Sequence, residues 1–97
     1  MNLRDLVMNK IKSGKYIRNK DGSVSTERGI SFENEGKHYV TPSIVDGVQR
    51  EPRDAMRMAD LSKTPSFGSQ GEADQYSQRR SRLLGTILRR LAERKQI

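Results

Sequence analysis

The sequence predicts a small α+β protein. Three stretches carry that expectation. Residues 2–13 and 70–94 repeat apolar side chains at helical spacing, and residues 23–33 alternate between two faces as a half-buried strand does. An N-terminal helix, a small antiparallel β-hairpin or sheet, a short helix and a long basic C-terminal helix are expected in that order. They divide the chain into an N-terminal docking helix over 1–14, a small α+β module over 15–68 and an amphipathic basic helix over 69–97.

In the first helix Leu3, Leu6, Val7 and Ile11 share a face, Asn2 is placed to cap the start and Gly14 to stop it. About three turns do not hold a helix in water, so it must dock, either on its own β module or on a neighbouring subunit. Tyr16 and Ile17 then lead an extended run into Asn19-Lys20-Asp21-Gly22, which is turn chemistry. Val24, Thr26, Arg28, Ile30 and Phe32 line one face of the expected strand, with Glu27 and Glu33 opposite. Asn34-Glu35-Gly36 returns the chain into Lys37-His38-Tyr39-Val40-Thr41 as a hairpin. Pro42 puts that strand at an edge or ends it, and Ile44-Val45 resumes extended chain before a turn at Asp46-Gly47. Pro52 opens a weakly amphipathic helix running to Ser62. Thr64-Pro65-Ser66-Phe67-Gly68 breaks the chain, and Ser69-Gln70-Gly71-Glu72 reads as a capping box for the last helix.

That helix carries Ala73, Tyr76, Arg80, Leu83, Leu84, Ile87, Leu88 and Leu91 along one stripe, with Gly85 as its weak link. Over residues 70–94 it is about 37 Å long at ~1.5 Å per residue. A module this small is not expected to cover that length, so the distal half is expected to project or to pack on another chain.

Composition sharpens the picture. The 97 residues hold 19 Lys+Arg and 12 Asp+Glu, a formal charge of +7, and only 32% are hydrophobic. Leu, Ile, Val and Phe number 20, just above the ~20% level below which chains tend to disorder. Residues 1–78 are nearly neutral at +1, whereas residues 79–97 carry +6, with Glu93 as their one acidic residue. No cysteine is present, which removes disulfides and thiolate metal sites. No apolar run approaches the ~18 residues of a membrane span, and the start has neither the basic nor the apolar region of a secretory signal.

Catalysis finds no motif. His38 is the sole histidine, so one chain cannot supply a histidine pair for zinc, and a strand or surface role is expected for it. The glycines are dispersed as turn residues rather than grouped in a phosphate-cradling loop, and no Gly-x-Ser-x-Gly elbow occurs. Glu27, Glu33 and Glu35 read as solvated strand carboxylates. No catalytic, metal-binding or cofactor-binding residue is assigned, and no cofactor is expected. Arg28, on the apolar face of its strand, is expected in a structural ion pair, with Asp46 or a helix C-terminus as partner.

The basic helix supports three readings. Its cations suit nucleic-acid phosphates, though no aromatic lies between the arginines to stack on bases. Leucines flanked by arginines resemble an interfacial membrane helix, but the stripe lasts barely nine residues without Trp or Tyr, which makes a membrane the weaker partner. An apolar stripe edged by arginine also suits an acidic-rimmed groove on another protein. This last reading is favoured, with Leu83, Leu84, Ile87, Leu88 and Leu91 as the contact stripe and Arg79, Arg80, Arg82, Arg89, Arg90 and Arg94 at its edges.

The middle of the chain adds a resemblance. Asp21-Gly22-Ser23-Val24-Ser25-Thr26-Glu27-Arg28-Gly29-Ile30-Ser31, then Gly36-Lys37-His38-Tyr39-Val40-Thr41-Pro42-Ser43-Ile44-Val45-Asp46-Gly47, resembles a small module that recurs in bacteriophage virion proteins. Pro65-Ser66-Phe67-Gly68 and Ala73-Asp74-Gln75-Tyr76 continue the likeness, which covers roughly residues 18–78 and leaves out the N-terminal helix and the cationic tail. The module also occurs in very large phage proteins, some with peptidoglycan-cleaving domains, but no segment here matches such a domain. The resemblance implies a virion protein made in the bacterial host cytoplasm. The expected function is a non-enzymatic structural component of the tail, the head–tail junction (neck) or the internal core, binding other virion proteins through its terminal helices, in multiple symmetric copies. The alternative is a nucleic-acid-binding packaging accessory or an ejected internal virion protein.

Overall fold

The computed structural model describes residues 2–95 and 97. One long helix organises everything else. In chain order the elements are α1 (Leu3–Lys12), β1 (Ile17–Arg18), β2 (Val24–Ser25), β3 (Gly29–Asn34), β4 (Lys37–Pro42), β5 (Ile44–Val45), β6 (Val48–Gln49), α2 (Pro52–Met58), β7 (Ser66–Phe67) and α3 (Gln70–Glu93). The architecture is mixed α+β with antiparallel pairing throughout. The 24 residues of α3 span about 36 Å at ~1.5 Å per residue, most of the 44 Å long axis.

The N-terminal half of α3 carries the sheet. β3 and β4 pair from Gly29↔Pro42 to Asn34↔Lys37, and β7 joins the other edge of β4 through His38↔Phe67 and Tyr39↔Ser66. Thus β4 is central, and Pro42 ends it rather than marking an edge. The segment 64–68, expected as a break alone, supplies this third strand. Phe32 and Tyr39, directly opposed, stack with ring centroids 5.5 Å apart, and Phe67 meets Tyr76 of α3 at 5.1 Å. Ala73 is fully buried, its small side chain allowing the helix close to the sheet. Ser69 caps α3 by accepting from the Glu72 amide at 3.2 Å. The Glu72 carboxylate accepts from Gly68 N–H at 3.3 Å, one residue before the donor a capping box uses.

The expected strand over 23–33 is broken. β2 pairs with β1, Ile17↔Ser25 and Arg18↔Val24, while β3 belongs to the other sheet. Residues 26–28 carry the chain between the two sheets, and there the alternation shifts phase. Thr26 and Glu27 turn inward and Arg28 turns out. Arg28 donates to Gln49 Oε1 at 2.9 Å and Asn19 Oδ1 at 2.7 Å instead of forming an ion pair, and Asp46 pairs with Lys15 at 3.5 Å. α2 stops at Met58 rather than Ser62, because Ala59 adopts an extended ψ of 128°.

Both tight hairpins use two-residue turns with positive φ at each central position, Glu35-Gly36 (51° and 79°) and Asp46-Gly47 (54° and 80°). The two glycines are not equivalent. A Cβ on Gly36 would meet open space, whereas one on Gly47 would lie 2.9 Å from Lys15 Cα and 3.1 Å from Tyr16 N. Gly36→Ala is therefore expected to cost about 1 kcal/mol for the left-handed backbone alone. Gly47→Ala adds a backbone collision, bringing the cost to about 2 kcal/mol. Thermal melts of the two variants check the ordering, and equal shifts would refute the close approach of residues 15–16.

α1 docks on neither surface expected for it. Asn2 caps it, accepting from Asp5 N–H at 2.8 Å, and Ser13 and Gly14 end it, Gly14 at φ 71°. Its apolar face then lies on the C-terminal half of α3. Val7 (1% exposed) packs with Leu84 and Leu91, and Leu3, Met8, Ile11, Ile87, Leu88 and Ile97 surround them. The distal half of α3 is therefore covered by the chain's own first helix.

Candidate partner-binding surface

The surface is set by the rotation of α3 about its axis. One ion-pair cluster fixes that rotation. Glu27, its side chain 8% exposed, accepts from both Nε and Nη2 of Arg80, the Nη2 contact at 3.1 Å, and lies 3.7 Å from Lys10 Nζ. The cluster joins α1, the segment between β2 and β3, and α3. Two-pronged guanidinium–carboxylate geometry is directional, so it orients the helix as well as holding it. The Glu27 carboxylate holds the Arg80 guanidinium above its usual range, overcoming the opposite pull of burial, with Tyr76 adding a smaller push.

The residues expected to meet a partner separate into two groups. Leu84 and Leu91 are buried, Ile87 and Leu88 are half-buried, and all four belong to the α1–α3 core. Arg80 belongs to the Glu27 cluster. Leu83 remains, 58% exposed, with Arg79, Arg82, Arg89, Arg90 and Arg94, all exposed. Among the described residues none of these five arginines forms an ion pair; the three ion pairs are Lys10–Glu27, Lys15–Asp46 and Arg80–Glu27.

At 3.6 residues per turn, Arg79, Arg82, Leu83 and Arg90 point away from the core side of α3. Arg90 and Arg94 also border a small cleft with Arg4 of α1, over Ile87 and Leu91, and no carboxylate lines it. Cations in the last turn are favourable to the helix dipole, which accounts for Arg90 but not for Arg82 or Arg79, about two and three turns back. Three unopposed guanidinium groups around one cleft can bind carboxylates or phosphates of another molecule in bidentate fashion.

Elsewhere the chemistry is sparse. No group of three or more His, Cys, Asp or Glu among the described residues is arranged to hold a metal ion. His38 sits half-buried on β4 with Nδ1 buried and no hydrogen-bond partner among the described residues. No helix among the described residues is long and apolar enough to cross a membrane. The role of Glu27 was not visible in the alternation, which placed it on the solvated face. No sequence signal marks it, because the alternation runs unbroken through residues 26–28.

Comparison with protein-family models, curated proteins and solved structures found no match for the chain.

Proposed function

We propose that this chain is a non-enzymatic structural component of a bacteriophage virion, which binds an acidic surface of another virion protein through the outward face of α3. The observation that carries the binding surface is the set of arginines, Arg79, Arg82, Arg90 and Arg94, left without ion-pair partners among the described residues around an exposed Leu83. A folded chain gains little from such a cluster, because like charges on one face repel. A carboxylate-rich partner surface turns that repulsion into attraction and adds orientation. The virion setting rests on the resemblance of residues 18–78 to the phage module.

The test uses chains that keep their fold. Arg79→Glu with Arg82→Glu, and separately Leu83→Asp, are expected to leave the circular dichroism spectrum and melting temperature within the range of surface changes. Each is expected to lower incorporation into particles at least tenfold when supplied in place of the natural chain. Undiminished incorporation would remove this surface from the interface, and absence of the chain from purified particles would remove the virion reading. The same arginines favour the second reading, nucleic acid. Duplex DNA binding that falls steeply with salt and is lost in the double-arginine variant would move the function there.

A further inference from the structure

We infer that the flank of α3 facing β2 is a second docking site, which takes an extended acidic segment of a partner protein. A groove of about 520 Å³ runs between α3 and the chain from Val24 to Gly29, and a section of about 350 Å³ bordered by Arg18, Arg89 and Ala92 continues it. The two share Val24, Gly85 and Leu88 as floor. The α3 side chains along them run from Ser77 to Ala92, about 22 Å of helix, the reach of roughly seven residues of extended chain.

Charge selects the occupant. Among the described residues, Arg18 and Arg89 supply the charged side chains lining the second section, which Ile97 also borders. In the first, Glu27 is already engaged by Arg80 and Lys10. The charged side chains along the groove are thus mainly cationic, over a floor of valine, leucine and glycine flanked by serine and threonine hydroxyls. That combination fits alternating acidic and apolar side chains. It fits nucleic acid poorly, since none of the five aromatic side chains lines the groove to stack on a base. Gly85 supports the same reading. A glycine inside a helix is unfavourable relative to alanine, yet a Cβ here would meet nothing within 4 Å. The chain's own packing does not require this glycine, and the open space at its Cβ position leaves room for a partner backbone.

The site lies about 160° around the helix from Leu83, so it does not depend on the outward-face reading. Its test is the binding of a fluorescein-labelled heptapeptide of alternating glutamate and valine to the full chain, read by fluorescence anisotropy at low and high salt. Saturable binding that weakens with salt is expected. Gly85→Leu and Arg89→Glu are each expected to weaken it at least tenfold, and Arg79→Glu with Arg82→Glu to leave it within twofold. Gly85→Ala, expected to melt no lower than the natural chain, serves as a smaller plug if Gly85→Leu disturbs the fold. The inference fails if the natural chain does not bind the peptide, if a lysine–valine peptide binds equally, or if the Gly85 and Arg89 variants bind as before. Competition by duplex DNA that depends on Gly85 would assign the groove to nucleic acid and equally overturn it.

Discussion

Leu84→Asp is expected to abolish the cooperative melt of this protein, while Leu83→Asp, one residue earlier, leaves it nearly unchanged. Leu84 is 8% exposed in the cluster with Val7 and Leu91, and Leu83 is 58% exposed. Removing a buried leucine costs about 2–5 kcal/mol through lost transfer energy and the cavity left behind. The new carboxylate adds a desolvation cost. Arg80, one turn back, is already committed to Glu27, so the aspartate gains that cation only by taking it from another buried carboxylate. The sum, at least about 4 kcal/mol, approaches the ~5–15 kcal/mol total stability of an ordinary domain. At 4–8 °C per kcal/mol for a chain of this size, the melting temperature falls by roughly 16–32 °C or the transition disappears. Thermal unfolding followed by circular dichroism decides it. A native-like melt for Leu84→Asp would mean that α1 does not cover α3 in solution, returning Leu84, Leu88 and Leu91 to the candidate partner surface.

The contrast between these neighbours shows where sequence reading stopped. Helical periodicity sets Leu83, Leu84, Ile87, Leu88 and Leu91 on one stripe read as a partner contact, and gives α1 a face that must dock. It could not say that the two satisfy each other. That pairing joins residues 3–11 to residues 84–91 across the whole chain, and no local pattern encodes it. Estimating what the module could cover without counting α1 left the distal half of α3 without an intrachain partner. Leu83 joined the stripe because a stripe read at i, i+3 and i+4 is wide enough to admit a neighbour that the real contact excludes.

Local chemistry was the legible part. The caps at Asn2 and Ser69, the Gly-containing turns at Glu35-Gly36 and Asp46-Gly47, and Pro52 at the first turn of α2 all act within a few residues. β7 was missed because two residues of strand carry no periodicity; Ser66 and Phe67 are recruited by the free edge of β4. The phase shift at residues 26–28 was missed for a related reason. Period-2 alternation through Val24, Thr26, Arg28, Ile30 and Phe32 is unbroken on paper, but the chain changes sheets in the middle, which exchanges the faces of Glu27 and Arg28. The cationic excess of residues 79–97 was visible in the sequence, but only the geometry distinguishes Arg80, which turns inward, from Arg79 and Arg82.

Glu27 joins three elements of the fold, and its removal is the second large effect expected. Glu27→Ala takes away the one carboxylate that Arg80 and Lys10 share and leaves two partly buried cations facing each other. Breaking a buried pair by deleting one partner costs about 3–5 kcal/mol. Arg80 and Lys10 keep some contact with water, at 31% and 24% side-chain exposure, so about 3 kcal/mol is the appropriate end of that range. Glu27→Gln keeps the shape and one acceptor, and is expected to lose about half as much. Because the carboxylate is buried, added salt is expected to change the difference little, unlike any effect of the exposed arginines. Arg80→Ala alone leaves Glu27 with Lys10 only, and the double change Glu27→Ala with Arg80→Ala is expected to cost less than the two single changes added together, giving a coupling of about 2 kcal/mol in a double-mutant cycle. Denaturant titration measures all three. A coupling near zero would mean that the three elements are held by apolar packing alone. In that case the orientation of α3, and with it the outward placement of Arg79, Arg82 and Leu83, would have to come from the α1 contact rather than from the ion pair.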